Sequence, residues 1–155
     1  MQIIHHGDLI KSVTSNAIII HGCNARGSMG AGIAKQIKDT YPGAYNKYRE
    51  AFARGELQLG NVSQWHTDAD VKDMLFILNA VTQKDYWKKG APKDFVYVDY
   101  DAIRECFIKA RRLSVEMNKS IHYPLIGAGL ANGDWNIINK IICEVLDGLE
   151  HHLWI

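Results

Sequence analysis

The amino-acid sequence predicts a three-layer α/β/α domain on a mixed, largely parallel central sheet. Two kinds of apolar pattern alternate along the chain, and no composition shift or linker divides residues 1–155. Short continuous apolar runs suit strands buried on both faces, whereas stripes spaced at three and four residues need a sheet beneath them. Alternation of the two in this rhythm gives parallel strands covered by helices on both sides.

Taken in order, a first strand lies in MQIIHH, and Ala17 to Ile20 forms a short buried run rich in β-branched residues. Ile33 to Ile37 and Tyr45 to Phe52 read as helices separated by the Tyr41-Pro42-Gly43 breaker. Asn61 to His66 reads as an edge strand, and Leu75 to Leu78, with Val81 beyond it, as a buried one. Thr82 to Val98 is a long irregular stretch rich in Lys and aromatic residues, with Phe95 to Val98 a short strand candidate; loops of this length are usually functional. Tyr100, Ile103, Phe107, Ala110, Leu113 and Met117 mark a helix, and Ile121 to Ile126 a third buried strand closed by Gly127. Ile138, Ile141, Ile142, Val145 and Leu149 mark the last helix, and Leu153 to Ile155 a terminal edge strand.

The composition, 47% hydrophobic and 23% charged in 155 residues, is that of a globular domain and excludes a fibre or a disordered tail. A formal net charge of +1 supplies no broad field to hold a polyanion, so nucleic acid is not an expected partner except through a local patch such as Tyr86, Trp87, Lys88, Lys89 and Lys93. The same patch also reads as a solvated loop. Cys23, Cys106 and Cys143 have no C-x-x-C spacing and are expected reduced; His5, His6, His151 and His152 lack zinc spacing, so no metal is expected. The first ten residues do not resemble a signal peptide and no apolar run approaches the roughly eighteen residues of a membrane span, which predicts a cytoplasmic protein with no membrane partner.

Two glycine-rich turns carry the chemistry. In His21-Gly22-Cys23-Asn24-Ala25-Arg26-Gly27-Ser28-Met29-Gly30-Ala31-Gly32-Ile33 a buried strand runs into a turn that opens a helix, placing free backbone N–H groups and a positive dipole end at the sheet's carboxyl edge. Ile33 stands where a Walker A loop needs Lys, and Lys35 where the dinucleotide fingerprint needs a third small residue. The second turn, Gly127-Ala128-Gly129-Leu130, follows the third buried strand, so the two could grip a diphosphate from both sides.

The order of these pieces resembles the macro domain family, which binds ADP-ribose and its derivatives. The resemblance covers nearly the whole chain, from His6-Gly7-Asp8-Leu9-Ile10 through Asn24 and Met29-Gly30-Ala31-Gly32-Ile33-Ala34 to Gly127-Ala128-Gly129-Leu130. Within the family, His-Gly-Cys-Asn before Gly-Ser-Met-Gly-Ala-Gly-Ile-Ala looks most like the ADP-ribose 1''-phosphate phosphatase branch and its relative, the terminal ADP-ribose protein glycohydrolase. The resemblance implies that Asp8 accepts the adenine amino group and that the backbone of Leu9 helps hold the base. It implies further that Asn24 faces the distal ribose, that Gly30, Ala31, Gly32 and Ile33 form the first diphosphate loop, and that Gly127, Ala128, Gly129 and Leu130 form the second. No cofactor is implied.

For catalysis the resemblance places His21 as nucleophile or proton donor, with Asn24 at the distal ribose. As a residue following three isoleucines, His21 reads equally as a buried histidine satisfied by its surroundings. The glycohydrolase relative uses a Lys and an Asp where this sequence has Gln83 and Ala131; Lys84 and Asp134 stand one and three places later. Asp134 reads either as a helix N-cap or as a carboxylate that polarises water near the second loop. The expected function is hydrolysis of ADP-ribose 1''-phosphate. De-ADP-ribosylation of protein carboxylates, with an ADP-ribosylated protein as partner, and a non-catalytic ADP-ribose reader are the alternatives.

Overall fold

A computed structural model describes residues 1–155. The elements follow in the order β1 (Gln2–His5), α1 (Leu9–Ser12), β2 (Ala17–Asn24), α2 (Gly32–Thr40), α3 (Pro42–Ala53), β3 (Val62–His66), β4 (Leu75–Gln83), α4 (Tyr100–Met117), β5 (Ile121–Tyr123), α5 (Trp135–Val145) and β6 (His151–Trp154). The six strands form one sheet in the order β1-β6-β5-β2-β4-β3. All neighbours are parallel except β3 and β4, so the sheet is mixed and mostly parallel, as the apolar pattern predicts. No helix is long and apolar enough to cross a membrane.

Alternation along β2 and β4 builds two cores. Ile18, Ile20, Phe76, Leu78 and Ala80 face α4 and α5, where they meet Ile103, Phe107, Ile138 and Ile142. Ala17, Ile19, Leu75 and Ile77 face the other layer, against Leu9, Ile10, Ile37 and Ala44. Both faces of the central strands are dry, which explains why their sequences are continuous apolar runs.

Three expectations need correction. The terminal strand is not an edge: β6 lies between β1 and β5, and β1 takes the edge, because His151 and Leu153 face the α5 layer while Tyr123 Oη bonds His151 Nδ1 at 2.7 Å. The third buried strand stops at Tyr123, since Pro124 has no N–H for the ladder. Residues 95–98 form no strand; only Val98 bridges, to Gln83, and a one-turn helix, α1, appears where none was expected.

On the α1–α2 side of the sheet three neighbouring strands stack His5, His152, His122 and Trp154. The His122 and His152 rings lie 4.3 Å apart, and His5 lies 4.2 Å from Trp154. Trp154 Nε1 donates to His122 Nδ1 at 2.9 Å, so the ring proton of His122 sits on Nε2, facing Ser120 Oγ at 3.1 Å. No group of three His, Cys, Asp or Glu is arranged to hold a metal ion.

Burial holds His21, His122 and His151 neutral, each with its pKa lowered from 6.5 to about 4. The unfolded chain therefore binds more protons than the folded one between about pH 6.5 and 4, so stability is present above that window and is lost as pH falls through it. For the fully buried His21 the loss at pH 4 is on the order of 3 kcal/mol. The urea midpoint is expected to fall steadily from pH 7 to 4.5; a flat profile would show that these rings are already charged in the fold.

Candidate active site

The first loop is organised by the side chain at the end of β2. Asn24 Oδ1 accepts from the backbone N–H groups of Arg26 at 3.0 Å and Ser28 at 3.3 Å, and Asn24 Nδ2 donates to Ser28 O at 2.9 Å. The Tyr48 hydroxyl lies against both Asn24 O and Asn24 Oδ1, and Arg49 Nη1 donates to Gly27 O at 2.9 Å. Burial drives the Tyr48 pKa upward, so this hydroxyl keeps its proton as a donor. The result is a turn fixed from inside, after which the chain opens α2.

That helix has no side-chain cap, whereas α1, α4 and α5 are each capped by an aspartate. The N–H groups of Gly30, Ala31, Gly32 and Ile33 make no hydrogen bond within the chain. An anion placed there would satisfy donors that the fold leaves open.

The second loop leaves β5 at Pro124. Gly127 is required there, because its φ is +77° and a Cβ would come within 2.8 Å of Val98 Cγ2. Gly133 N–H closes the loop onto Gly127 O at 2.7 Å, while the N–H groups of Gly127, Gly129 and Leu130 stay unpaired. Around Gly32 and Gly129 nothing approaches an added Cβ within 4 Å, so the backbone faces open space on both sides.

These two loops face one cleft of about 560 Å³. Of the residues singled out from sequence, Asn24, Gly30, Ala31, Gly32, Ile33, Gly127, Gly129 and Leu130 line it. Asp8 does not line it: its carboxylate caps α1 through Lys11 N at 3.0 Å and accepts from Gln36 Nε2 at 3.1 Å, one helical turn beyond the lining residue Ile33. The Lys11 N–H and then Gln36 hold the Asp8 pKa below the usual carboxylate range. The Leu9 side chain is buried under α1 and that of Ala128 packs on the α4–α5 core.

The expected catalytic groups fare differently. Asn24 is at the cleft, but its amide is occupied by its own loop. His21 lies away from the cleft, fully buried on the α3 side of the sheet, where Asn79 Nδ2 donates to Ala44 O and Asn79 Oδ1 accepts from His21 Nε2 at 2.7 Å. Asp134 is exposed, caps α5 by accepting from Asn136 N at 2.9 Å, and does not line the cleft. Lys84 is exposed and points elsewhere, whereas Gln83 reaches the cleft.

No Asp, Glu, Lys, Arg or His lines the cleft. Its polar side chains are Asn24, Ser28, Gln83, Tyr86, Trp87 and the Cys23 thiol, whose pKa burial pushes far up. Sequence reasoning had not singled out Cys23 or Ser28 for the cleft; Tyr86 and Trp87 read as part of a basic and aromatic patch that could touch RNA or a substrate's nucleotide, and both line the cleft. The strand end adjoining Asn24 could have flagged the first two, but Tyr86 and Trp87 sit in an irregular loop with no periodic signal.

A sheet whose carboxyl edge carries two unpaired N–H cradles around one cleft defines an anion-binding α/β domain. Residues 20–142 match the Macro domain family, and the chain belongs to it. It is 30% identical over 143 residues to the DNA ADP-ribosyl glycohydrolase of Mycobacterium tuberculosis, an alignment covering 92% of this chain and 38% of that protein. To the ADP-ribose 1''-phosphate phosphatase of Lodderomyces elongisporus it is 25% identical over 155 residues, covering 96% of this chain and 94% of the relative. The macrodomain of Mycobacterium tuberculosis DarG superposes with a TM-score of 0.81 at 26% identity, covering 99% of this chain and 97% of that one. The chain spans 34–38% of the length of the DNA ADP-ribosyl glycohydrolases it matches.

Gly30→Glu places a carboxylate among the open N–H groups of the first loop. Calorimetry is expected to show ADP-ribose affinity falling at least a hundredfold with thermal stability little changed, because a Cβ at Gly30 meets only Ser28 Oγ at 3.5 Å. Asn24→Ala should instead lower both affinity and the urea midpoint, since it frees two loop N–H groups at once.

Proposed function

We propose that this cleft binds ADP-ribose with its diphosphate between the two loops and hydrolyses a bond at the distal ribose, ADP-ribose 1''-phosphate being the substrate. The observation that carries the reading is the convergence of unpaired N–H groups from Gly30–Ile33 and from Gly127, Gly129 and Leu130 on one open space. Seven fixed donors at one helix N-terminus and one glycine loop match a diphosphate without any cation. The full-length similarity to a protein named ADP-ribose 1''-phosphate phosphatase supports the same substrate. Asp8, which accepts from Gln36 one helical turn along α2 beyond the lining residue Ile33, is the acceptor for the adenine amino group in this reading.

The chemistry follows from what lines the distal end. With no titratable carboxylate, amine or imidazole there, the cleft supplies position rather than a base. The oxygens of the bound substrate's own phosphates are the bases left to orient water, while loop N–H groups stabilise charge that develops on them. His21 takes no part in this step; it fixes the β2–β4–α3 junction beneath the loop. The same neutral lining favours a second reading, an ADP-ribose reader without turnover.

Phosphate release from ADP-ribose 1''-phosphate, measured beside calorimetric ADP-ribose binding, tests both. Release is expected with a rate profile that levels off above about pH 7, because only the substrate's phosphate titrates near pH 6. A bell-shaped profile would require a protein acid and base in the cleft. Tight binding with no release moves the reading to de-ADP-ribosylation of protein carboxylates or to a reader without turnover, and no binding removes the site assignment altogether.

A further inference from the structure

The cleft is rich in donors and poor in free acceptors. Asn24 Oδ1 is already filled by the N–H groups of Arg26 and Ser28 and by the Tyr48 hydroxyl at 3.0 Å. The Cys23 thiol keeps its proton, the Trp87 ring N–H only donates, and the Ser28 and Tyr86 hydroxyls each carry a proton of their own. Gln83 Oε1 is an acceptor of another kind. It takes part in no hydrogen bond within the chain, and Thr82 Oγ1 is the one buried side-chain polar atom left without a partner, so Gln83 Oε1 is open to solvent on a side chain that lines the cleft.

The chain holds this acceptor still. Asn24 and Gln83 are register partners, Ala25 N donates to Gln83 O at 2.9 Å, and Gln83 bridges Val98 on its other side. Gln83 Nε2 donates to Asp85 O at 2.7 Å; a carbonyl can only accept, so the amide nitrogen faces it and Oε1 is turned away. Asp85 is fixed in turn, since its carboxylate accepts from Tyr86 N at 2.9 Å and pairs with Arg26 at 3.4 Å and Lys88 at 3.7 Å. A long side chain has thus lost its rotamer freedom before any ligand arrives. Beside it Tyr86 and Trp87 line the mouth while remaining 38% and 46% exposed, so water reaches this end from outside.

An uncharged acceptor repels phosphate oxygens and welcomes an O–H group, which is what an attacking water presents. We propose that Gln83 Oε1 holds that water, accepting one of its O–H groups while a phosphate oxygen of the substrate accepts the other. The water oxygen then bonds to the phosphorus of the 1''-phosphate and the bond from phosphorus to the ribosyl oxygen breaks. One water hydrogen passes by way of a phosphate oxygen to the ribosyl oxygen, and the hydrogen held by Gln83 stays on the released hydrogen phosphate. Gln83 neither gains nor loses a proton; it aims a nucleophile that no side-chain base in the cleft could aim. The proposal rests on the phosphatase reading, with the Asn24–Gln83 end receiving the distal ribose.

The test compares steady-state phosphate release from ADP-ribose 1''-phosphate by the wild type, Gln83→Met and Gln83→Glu, with calorimetric ADP-ribose binding and the urea midpoint taken on each. Gln83→Met keeps the length of the side chain and removes the acceptor. Its kcat is expected to fall about tenfold, the worth of one hydrogen bond made to the reacting water, while KM, ADP-ribose affinity and midpoint stay near wild type. Gln83→Glu keeps an acceptor oxygen and should recover most of the lost kcat, with KM raised because a carboxylate repels the substrate's phosphates. A wild-type kcat in Gln83→Met, a fall in ADP-ribose affinity equal to the fall in kcat, or a Gln83→Glu kcat no higher than that of Gln83→Met would overturn the proposal. Absence of release by a wild type that binds ADP-ribose would instead overturn the phosphatase reading beneath it.

Discussion

The site depends on the parallel pairing of β2 with β4 and β5. Parallel strands end together, so this pairing brings the carboxyl ends of three segments to one edge and lets two loops leave it side by side. The register runs without interruption from Ala17 opposite Leu75 to Cys23 opposite Val81, then slips so that Asn24 meets Gln83. Thr82 is the extra residue of that bulge. Its carbonyl accepts from Asp99 N, and its buried hydroxyl finds no partner, a local cost of turning the strand end. Bulges of this sort re-aim side chains beside sites, and here the slip brings Gln83 to the cleft and leaves Lys84 in solvent.

Much of this was legible in sequence wherever burial dictates residue type. Continuous apolar runs at Ala17–Ile20 and Leu75–Leu78 can only be central strands, and glycines at Gly32 and Gly127 mark positive φ at the turns that follow. The glycine loops were readable because backbone binds there, and backbone binding leaves its trace as missing side chains. What escaped was whatever depends on side-chain direction. Leu153 to Ile155 read as an edge strand, although β6 lies inside the sheet, where the His151 ring bonds Tyr123 on one face and the His152 ring joins the histidine stack on the other. The resemblance put His21 forward as catalytic while its place after three isoleucines read equally as a buried histidine; on this strand it is fully buried, shares the face of Ile19 and bonds Asn79. The irregular 82–98 segment gave no period to read, so composition alone marked Tyr86 and Trp87 as a patch for a nucleotide or for solvent, and only the structure brings them to the cleft.

A cleft whose donors are main-chain N–H groups is pre-ordered by the same bonds that fold it. Asn24, Tyr48 and Arg49 hold the first loop from behind without exposing charge to the ligand, and Gly133 closes the second by main chain alone. Such donors need no reorganisation when a dianion arrives and do not ionise near neutral pH, so selectivity among ligands falls to shape and to the rim. That division separates gripping the common ADP-ribose part from choosing what it is attached to.

Asn132 joins the two. Held at φ +57°, its side-chain amide donates to Lys93 O at 2.9 Å and Phe95 O at 3.1 Å, while Ala131 O accepts from Tyr97 N at 2.9 Å. The second glycine loop and the 93–98 segment are therefore stitched together by the Asn132 side chain and by main-chain bonds to Ala131 O. Side chains on the mouth are free to vary, but an insertion or deletion between residues 93 and 98 would drag the second glycine loop with it. Descendants of this chain could acquire new attachments for ADP-ribose by exchanging residues along the rim, while the length of that segment is fixed by the loop it supports.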